Sequence, residues 1–401
     1  MEQEQRLRKR GVVNDDEDRL NLLPEALILK ILCFLPTKTV VTTSVLSKQW
    51  RSLWKFVPNL EFNSEDCESE DLSFSEIVSK SLLSHKAPVL DSFRLLFGSE
   101  DVSFVDVGLW VGIAFARHLR ELVLDFYPSG KETFTFPSSL STCNTLESLK
   151  LVFGFTVDIP SPVLMKSLRT LHLEFVSFKE DVSVRNLLSS CPGLEQLIVY
   201  RGEDCDVEIF TIEVPSLQRL KIHDTNDGAE FWGYVINAPC LKYLHIEDLR
   251  CPGFSLNAPE LVEASIVEAI SITNKKLLGS LTSVKRLLLH LSPLRKYNHV
   301  RSDSLVRGKW NEPKYVPECL LSHLETFVWK RFGWGREEEK EIATYILKNA
   351  RRLKKAHFST IPIDTKELNK LRERSKVLSE LDGVVRASNS CHLVFKFDAS
   401  A

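Results

Sequence analysis

Leu217-Gln218-Arg219-Leu220-Lys221-Ile222 is followed, 24 residues on, by Leu241-Lys242-Tyr243-Leu244-His245-Ile246. Both spell Leu-x-x-Leu-x-Leu with a branched residue in the last place. The same six-residue unit starts at Leu90, Leu119, Leu146, Leu168, Leu194, Leu261, Val284 and Leu324. Between Leu119 and Val284 successive starts lie 20 to 27 residues apart. A core that is kept while its connectors change length is a structural repeat and not a bias of composition. One such unit cannot bury its own apolar side, so the units must stack on one another.

The period and the unit resemble leucine-rich repeats, which lay one short strand per repeat side by side. The resemblance implies a curved parallel sheet in which side chains alternate in direction. Repeat positions four and six then point inward, and positions three, five and seven form a concave face. The candidate target-binding residues on that face are Lys150, His172, Tyr200, Arg219, Lys221, His223, Tyr243, His245, Arg286 and His290. Arg219, His223, Arg286 and His290 are also a candidate anion cluster. His172 and His245 share position five and are expected as neighbours. Pro88, Pro192, Pro215, Pro239 and Pro259 sit just before a repeat, where a proline can open a strand. Phe126, Phe153 and Phe175 share the place just beyond the strand and are expected to stack as a spine.

Upstream, Asn21 to Trp54 reads NLLPEALILKILCFLPTKTVVTTSVLSKQWRSLW. Pro24 suits the first turn of a helix, where its missing N–H costs nothing. Leu27, Ile28, Ile31, Leu32 and Leu35 recur at helical spacing until Pro36 ends the run. Thr37 can cap a second helix and Ser47 a third. Three helices in so short a segment fall below the size that buries a self-sufficient core. Either later parts of this chain cover the surplus apolar surface, or a second protein does.

Leu23-Pro24, Ile31-Leu32-x-Phe34-Leu35-Pro36 and Val45-Leu46-Ser47-Lys48-Gln49-Trp50-Arg51-x-Leu53-Trp54 resemble the F-box motif of plant F-box proteins. The resemblance implies docking on a Skp-family adaptor and, through it, a cullin ubiquitin ligase. The adaptor-binding candidates are Leu22, Leu23, Pro24, Ile28, Ile31, Leu32, Leu35, Val45, Leu46, Trp50, Leu53 and Trp54. Some of these must instead hold the helices together, and spacing does not sort them. From Trp310 to Phe358 the chain resembles the FBD domain that ends many plant F-box and leucine-rich-repeat proteins. Within it Glu337 to Arg352 reads as a helix, with acids at its start favouring the macrodipole. Ala356-His357-Phe358 and His392 to Phe397 read as strands, with a helix from Thr365 to Leu381 between them.

The expected fold class is therefore α/β: a three-helix F-box, a leucine-rich-repeat solenoid and an FBD α/β cap. The expected division is a disordered tail at 1–18, the F-box at 19–62, a linker and helix at 63–89, repeats at 90–309 and the FBD cap at 310–401. Phe74, Ile77, Val78, Leu82 and Leu83 mark the helix in the third of these.

Composition narrows the function. The net charge of -2 supplies no field that favours nucleic acid or membrane. The nine cysteines are irregularly spaced, with no C-x-x-C, which argues against a disulfide framework or zinc module and for a reducing compartment. No secretory signal or membrane-length apolar run is visible. Arg6 to Arg10 fits a nuclear import signal as well as a solvated tail, so nucleus and/or cytoplasm is the expected location. No metal-ligand spacing of histidine, nucleophile elbow or phosphate loop occurs, so no cofactor or metal is expected and no catalytic residue is named. Cys33, amid apolar residues, is expected to be a buried, inert thiol. The reading is a non-catalytic substrate receptor; a scaffold acting outside a ligase and a small-molecule-dependent receptor are its alternatives.

Overall fold

The computed structural model describes residues 23–48, 50–66, 72–98, 102–127, 133–134, 143–153, 156–157, 159, 164–202, 207–225, 232–249, 253–267, 275–290, 310, 312–333, 335, 337–360, 363 and 367–397. Three short helices come first: α1 (Glu25–Leu32), α2 (Thr37–Thr42) and α3 (Trp50–Leu53). Pro24 and Pro36 each stand as the residue before a helix: Pro24 precedes the first turn instead of lying in it, and α1 ends at Leu32, short of Leu35 and Pro36. Thr37 is not the cap of α2. It is the first helical residue, and its Oγ1 accepts the backbone N–H of Glu61 at 2.7 Å. Ser47 Oγ accepts the Trp50 N–H at 3.4 Å, the long end of a capping bond.

The repeats build a 13-stranded parallel sheet. Its strands are β1 (Asn59–Asn63), β2 (Ser92–Gly98), β3 (Glu121–Tyr127), β5 (Ser148–Val152), β7 (Thr170–Glu174), β9 (Gln196–Arg201) and β11 (Arg219–Asp224). They continue as β13 (Tyr243–Glu247), β15 (Glu263–Val267), β16 (Arg286–His290), β17 (Thr326–Lys330), β18 (Lys355–Thr360) and β19 (His392–Phe397). Every pairing is parallel and in register with the repeat, so like positions form columns across the sheet. Leu95, Leu124, Leu151, Leu173, Val199, Ile222, Ile246, Ile266 and Leu289 make one buried column. Each fully buried aliphatic side chain contributes about 1.5–3 kcal/mol. The column works because residue direction alternates along each strand while register is held between strands.

The chain returns between strands on the other side of this core. The return elements begin as helices α4 (Phe74–Ser84) and α5 (Phe104–Phe115). Short strands β4 (Thr133–Phe134), β6 (Thr156–Val157) and β8 (Ser177–Phe178) then pair with one another, followed by α6 (Asp181–Ser189). A second three-stranded sheet follows, of β10 (Ile209–Glu213), β12 (Gly233–Asn237) and β14 (Gly253–Asn257). Helices α7 (Lys275–Ser280), α8 (Glu318–Ser322), α9 (Glu337–Asn349) and α10 (Leu368–Asp382) complete the side. Gly233 and Gly253 are required in the second sheet: a Cβ on Gly233 would lie 2.4 Å from the carbonyl oxygen of Gly253. Between the layers, Arg201 and Asp224 form a buried ion pair at 3.4 Å, and the Tyr234 hydroxyl donates to Asp224 at 2.6 Å.

Several expectations are corrected. Asn63 closes β1 instead of opening a linker, and β1 pairs with β2 from Asn59↔Ser92 to Asn63↔Leu96. The sheet thus begins inside the segment expected to be F-box alone. Pro192, Pro215, Pro239 and Pro259 lie in turns, not at strand starts. The Leu217 N–H, for example, closes such a turn onto the Val214 carbonyl at 3.2 Å, with Pro215 in the position whose φ proline presets. Leu83 is exposed on α4, while Phe74, Val78 and Leu82 are buried. Phe126 stays in regular strand, buried and 4.7 Å from Phe97. Phe153 and Phe175 leave their strands with φ of 52° and 53°, and stack at 4.7 Å. Tyr127 joins them, 4.8 Å from Phe153, in the place expected for Phe126.

Candidate functional site

Two surfaces remain after the core is accounted for. The first lies on the N-terminal helices. Ile28, Leu32, Val40, Trp50, Leu53 and Val57 form their own small buried cluster, with Leu23, Leu29, Cys33, Leu35 and Trp54 half-buried around it. Of the adaptor-binding candidates, Ile28, Leu32, Trp50 and Leu53 are thereby corrected: their side chains are spent holding three helices together. Trp50 keeps 4% of its surface. Cys33 is half-buried, not sealed, and burial raises its thiol pKa, with Asp91 adding to the shift.

The candidates that do face outward are Pro24, Ile31, Val45 and Leu46. Val45 is 84% exposed and Ile31 42%. Leu22 lies outside the described residues. Phe34 was quoted in the motif but not among the candidates, yet it is the most open of these residues at 87%. Leu27, Val41 and Phe56 are further exposed apolar residues outside the candidate set. Leu27 and Ile31 stand one turn apart on the same side of α1, as an i, i+4 pair must. The signal for Phe34 was its place between the end of α1 and Pro36, where no further helical turn follows to pack it.

These helices are fastened to the sheet. Besides the Thr37 bond, Asn59 Nδ2 donates to the Cys33 carbonyl at 3.3 Å, and the Lys86 N–H donates to Lys55 O at 2.7 Å. His85 is a buried strut: its ring lies 2.8 Å from Val57 O at Nε2 and 3.0 Å from Arg117 Nη1 at Nδ1. A neutral ring with the proton on Nε2 satisfies both contacts, donating to the carbonyl and accepting from the guanidinium. Burial lowers the His85 pKa, against the pull of the Val57 carbonyl, and Arg117 lowers it further.

The second surface is the open face of the sheet. On its first half, Glu174 Oε2 lies 3.6 Å from Lys150 and 3.3 Å from His172. Burial lowers the pKa of His172, and the Lys150 cation adds to it. On the second half, Glu247 Oε2 lies within 3.8 Å of Lys221, 3.6 Å of His223 and 3.6 Å of His245. Burial also lowers the pKa of His245, with Lys221 as the next cause. Lys221 donates to the Tyr200 hydroxyl at 2.7 Å. Arg219 stacks over the Tyr243 ring at 5.1 Å, and Arg286 meets Glu263 at 3.8 Å. A shallow groove of about 370 Å³ crosses this half, walled by Arg219, Lys221, Tyr243 and His245 with Ile198 and Leu288 at its ends.

The face therefore brings Tyr200, Arg219, Lys221, His223, Tyr243 and His245 into one connected patch. It does not bring together the anion cluster. Arg219 and Arg286 sit three strands apart, from β11 through β13 and β15 to β16, or about 14 Å. His223 is occupied by Glu247, and His290 is on β16, away from it. His172 and His245 are likewise separated by β9 and β11 and are not neighbours. Among the described residues, no group of histidine, cysteine and carboxylate side chains is arranged to hold a metal ion.

Comparison with known proteins follows this anatomy segment by segment. Residues 20–62 match the F-box domain, residues 107–289 match the LRR repeats of the FBD-associated F-box protein At5g56370, and residues 312–358 match FBD. The chain is similar along its whole length to the F-box/FBD/LRR-repeat protein At3g52680 of Arabidopsis thaliana, with 66% identity over 450 aligned positions covering 100% of this chain and 97% of that protein. The F-box/FBD/LRR-repeat protein At4g00160 of the same plant is 63% identical, covering 100% of this chain and 98% of its own. The FBD-associated F-box protein At3g52670, also from Arabidopsis thaliana, is 60% identical over 95% of this chain and 98% of its own.

Proposed function

Because the chain belongs to the F-box/FBD/LRR-repeat family, we propose that it is the substrate-recognition subunit of a Skp–cullin–F-box ubiquitin ligase. Its N-terminal helices dock a Skp-family adaptor, which connects to cullin, and the repeat sheet selects the protein to be ubiquitinated. The supporting observation is the pair of surfaces just described. The helices leave Leu27, Ile31, Phe34, Val45 and Leu46 open to solvent after their own core is filled. Exposed apolar side chains on so small a unit mark a protein interface.

The joint between the surfaces gives the proposal its mechanism. β1 belongs both to the F-box segment and to the sheet, so a docked adaptor and a bound target hold a set distance. The chain makes and breaks no bond in this scheme. It converts an encounter between target and ubiquitin-conjugating enzyme into a local event, which is catalysis by proximity. Residues 19–62 serve as the adaptor module, 90–309 as the selector and 310–401 as the cap. The basic run Arg6 to Arg10 supports work in the nucleus as well as the cytoplasm. In cells with the proteasome blocked, proteins captured by the full chain should carry ubiquitin, and Phe34→Asp should remove that modification while leaving their capture intact. Unchanged ubiquitination with the variant as sole copy would favour a scaffold acting outside a ligase.

A further inference from the structure

We propose that the groove on the second half of the sheet reads an extended segment of the target protein in which an aspartate or glutamate lies beside an apolar residue. This deepens the substrate-receptor reading and rests on it. The decisive residue is Arg219. Its guanidinium is held over the Tyr243 ring at 5.1 Å. Among the described residues, no carboxylate comes within ion-pair distance of it. The lysine of the groove is already matched, Lys221 having the Tyr200 hydroxyl and Glu247, and the one carboxylate of the lining, Glu263, is held by Arg286 from outside it. Arg219 is thus an oriented planar fork with its donors free, which is the geometry that takes a carboxylate through two parallel hydrogen bonds.

The rest of the groove sets what accompanies the carboxylate. Ile198 stands on β9, next to the Arg219 strand, and Leu288 stands on β16 at the far end. Ser265 is the small residue between His245 and Leu288 in the same column, and leaves depth there. From β9 to β16 the groove spans about 19 Å, the reach of roughly six extended residues. A segment laid across the strands can place its carboxylate on Arg219 and an apolar side chain against Ile198 within a residue or two. Aromatic and arginine side chains at the centre of a patch are also the usual carriers of interface energy.

The test uses the purified full-length chain and an array of random-sequence ten-residue peptides. Bound peptides should be enriched in Asp or Glu within three positions of Leu, Ile, Val or Phe. Arg219→Gln should weaken the best of them at least about tenfold by fluorescence polarisation, the loss expected for a charge-assisted pair. Arg219→Lys should recover part of the loss, and Arg120→Gln, just before β3 and away from the groove, should change nothing. Absence of acidic enrichment, or equal binding by Arg219→Gln, would overturn the proposal. Adaptor capture by the same preparation is read separately. A chain that captures adaptor but ignores acidic peptides loses this inference alone; one that selects them without capturing adaptor loses the ligase reading.

Discussion

Phe34 and Trp50 both belong to the N-terminal helices, and they have opposite fates. Trp50 fills the small core, so Trp50→Ala should cost about 3–5 kcal/mol and unfold the unit at lower temperature. Phe34 is open to solvent, so Phe34→Ala should leave the melting temperature of the free chain nearly unchanged, within about 0.5 kcal/mol. Differential scanning calorimetry on the two variants checks both outcomes. The cysteines give a second contrast. Burial pushes the thiols of Cys191 and Cys319 up to about 12, whereas Cys240 is exposed. At pH 8 an alkylating reagent should therefore modify Cys240 well before Cys191 or Cys319, as read site by site by mass spectrometry. Rapid labelling of Cys191 in the folded chain would contradict its burial. Apolar identity was legible in the sequence at Phe34 and Trp50 alike. That Trp50 faced the core was not, because a helix of a single turn has no periodicity to read.

At the level of elements, the joint between helices and sheet depends on His85. Its folded pKa lies below the ordinary value of 6.5. The unfolded chain therefore binds the proton more readily than the folded one. That contribution to stability is fully present above about pH 6.5 and is lost as pH falls from there through the folded pKa. Thermal stability should drop between pH 7.5 and pH 5.5, and His85→Gln, which cannot titrate, should show a shallower slope. An identical slope in the variant would assign the dependence to other groups, of which His172 and His245 shift in the same direction. A second element-scale prediction concerns the layer between the two sheets. Asp224→Ala would remove the carboxylate that balances the buried Arg201 charge, leaving it the Val207 carbonyl and the rings of Phe210 and Tyr234, and should cost about 3–5 kcal/mol. Urea denaturation measures it; a loss under about 1 kcal/mol would mean that the charge is compensated without Asp224.

The elements were unevenly legible. The Leu-x-x-Leu-x-Leu unit located the sheet strands because register and alternation leave few other solutions. The return strands β10, β12 and β14 were missed, since each is a short segment inside a connector of variable length. The Phe126, Phe153 and Phe175 column shows the same limit. Identical repeat positions gave different conformations because β3 runs on to Tyr127, while β5 and β7 stop at Val152 and Glu174.

On the scale of the whole molecule, one continuous sheet joins the N-terminal helices to the open face of the repeats. It starts in β1, within the F-box segment, and ends in β19, beyond the FBD segment. The aromatic side chains of Phe327, Trp329, Phe332, Phe358 and Phe395 pack together near its far end, which closes the array on a filled core. The class of fold was legible from repeat period and motif. The contacts on the open face were not, because Lys221 and His223 reach Glu247 from the neighbouring strand β11, and only register brings them together.

The central claim is that apolar surface on the N-terminal helices is kept for an adaptor. Co-purification of a Skp-family adaptor with the full chain, compared with the Phe34→Asp, Val45→Asp double variant, tests it directly. The account predicts a one-to-one complex for the natural sequence and none for the variant, with both chains showing the same circular dichroism and melting temperature. Equal recovery of adaptor with both chains, or with neither, would contradict it.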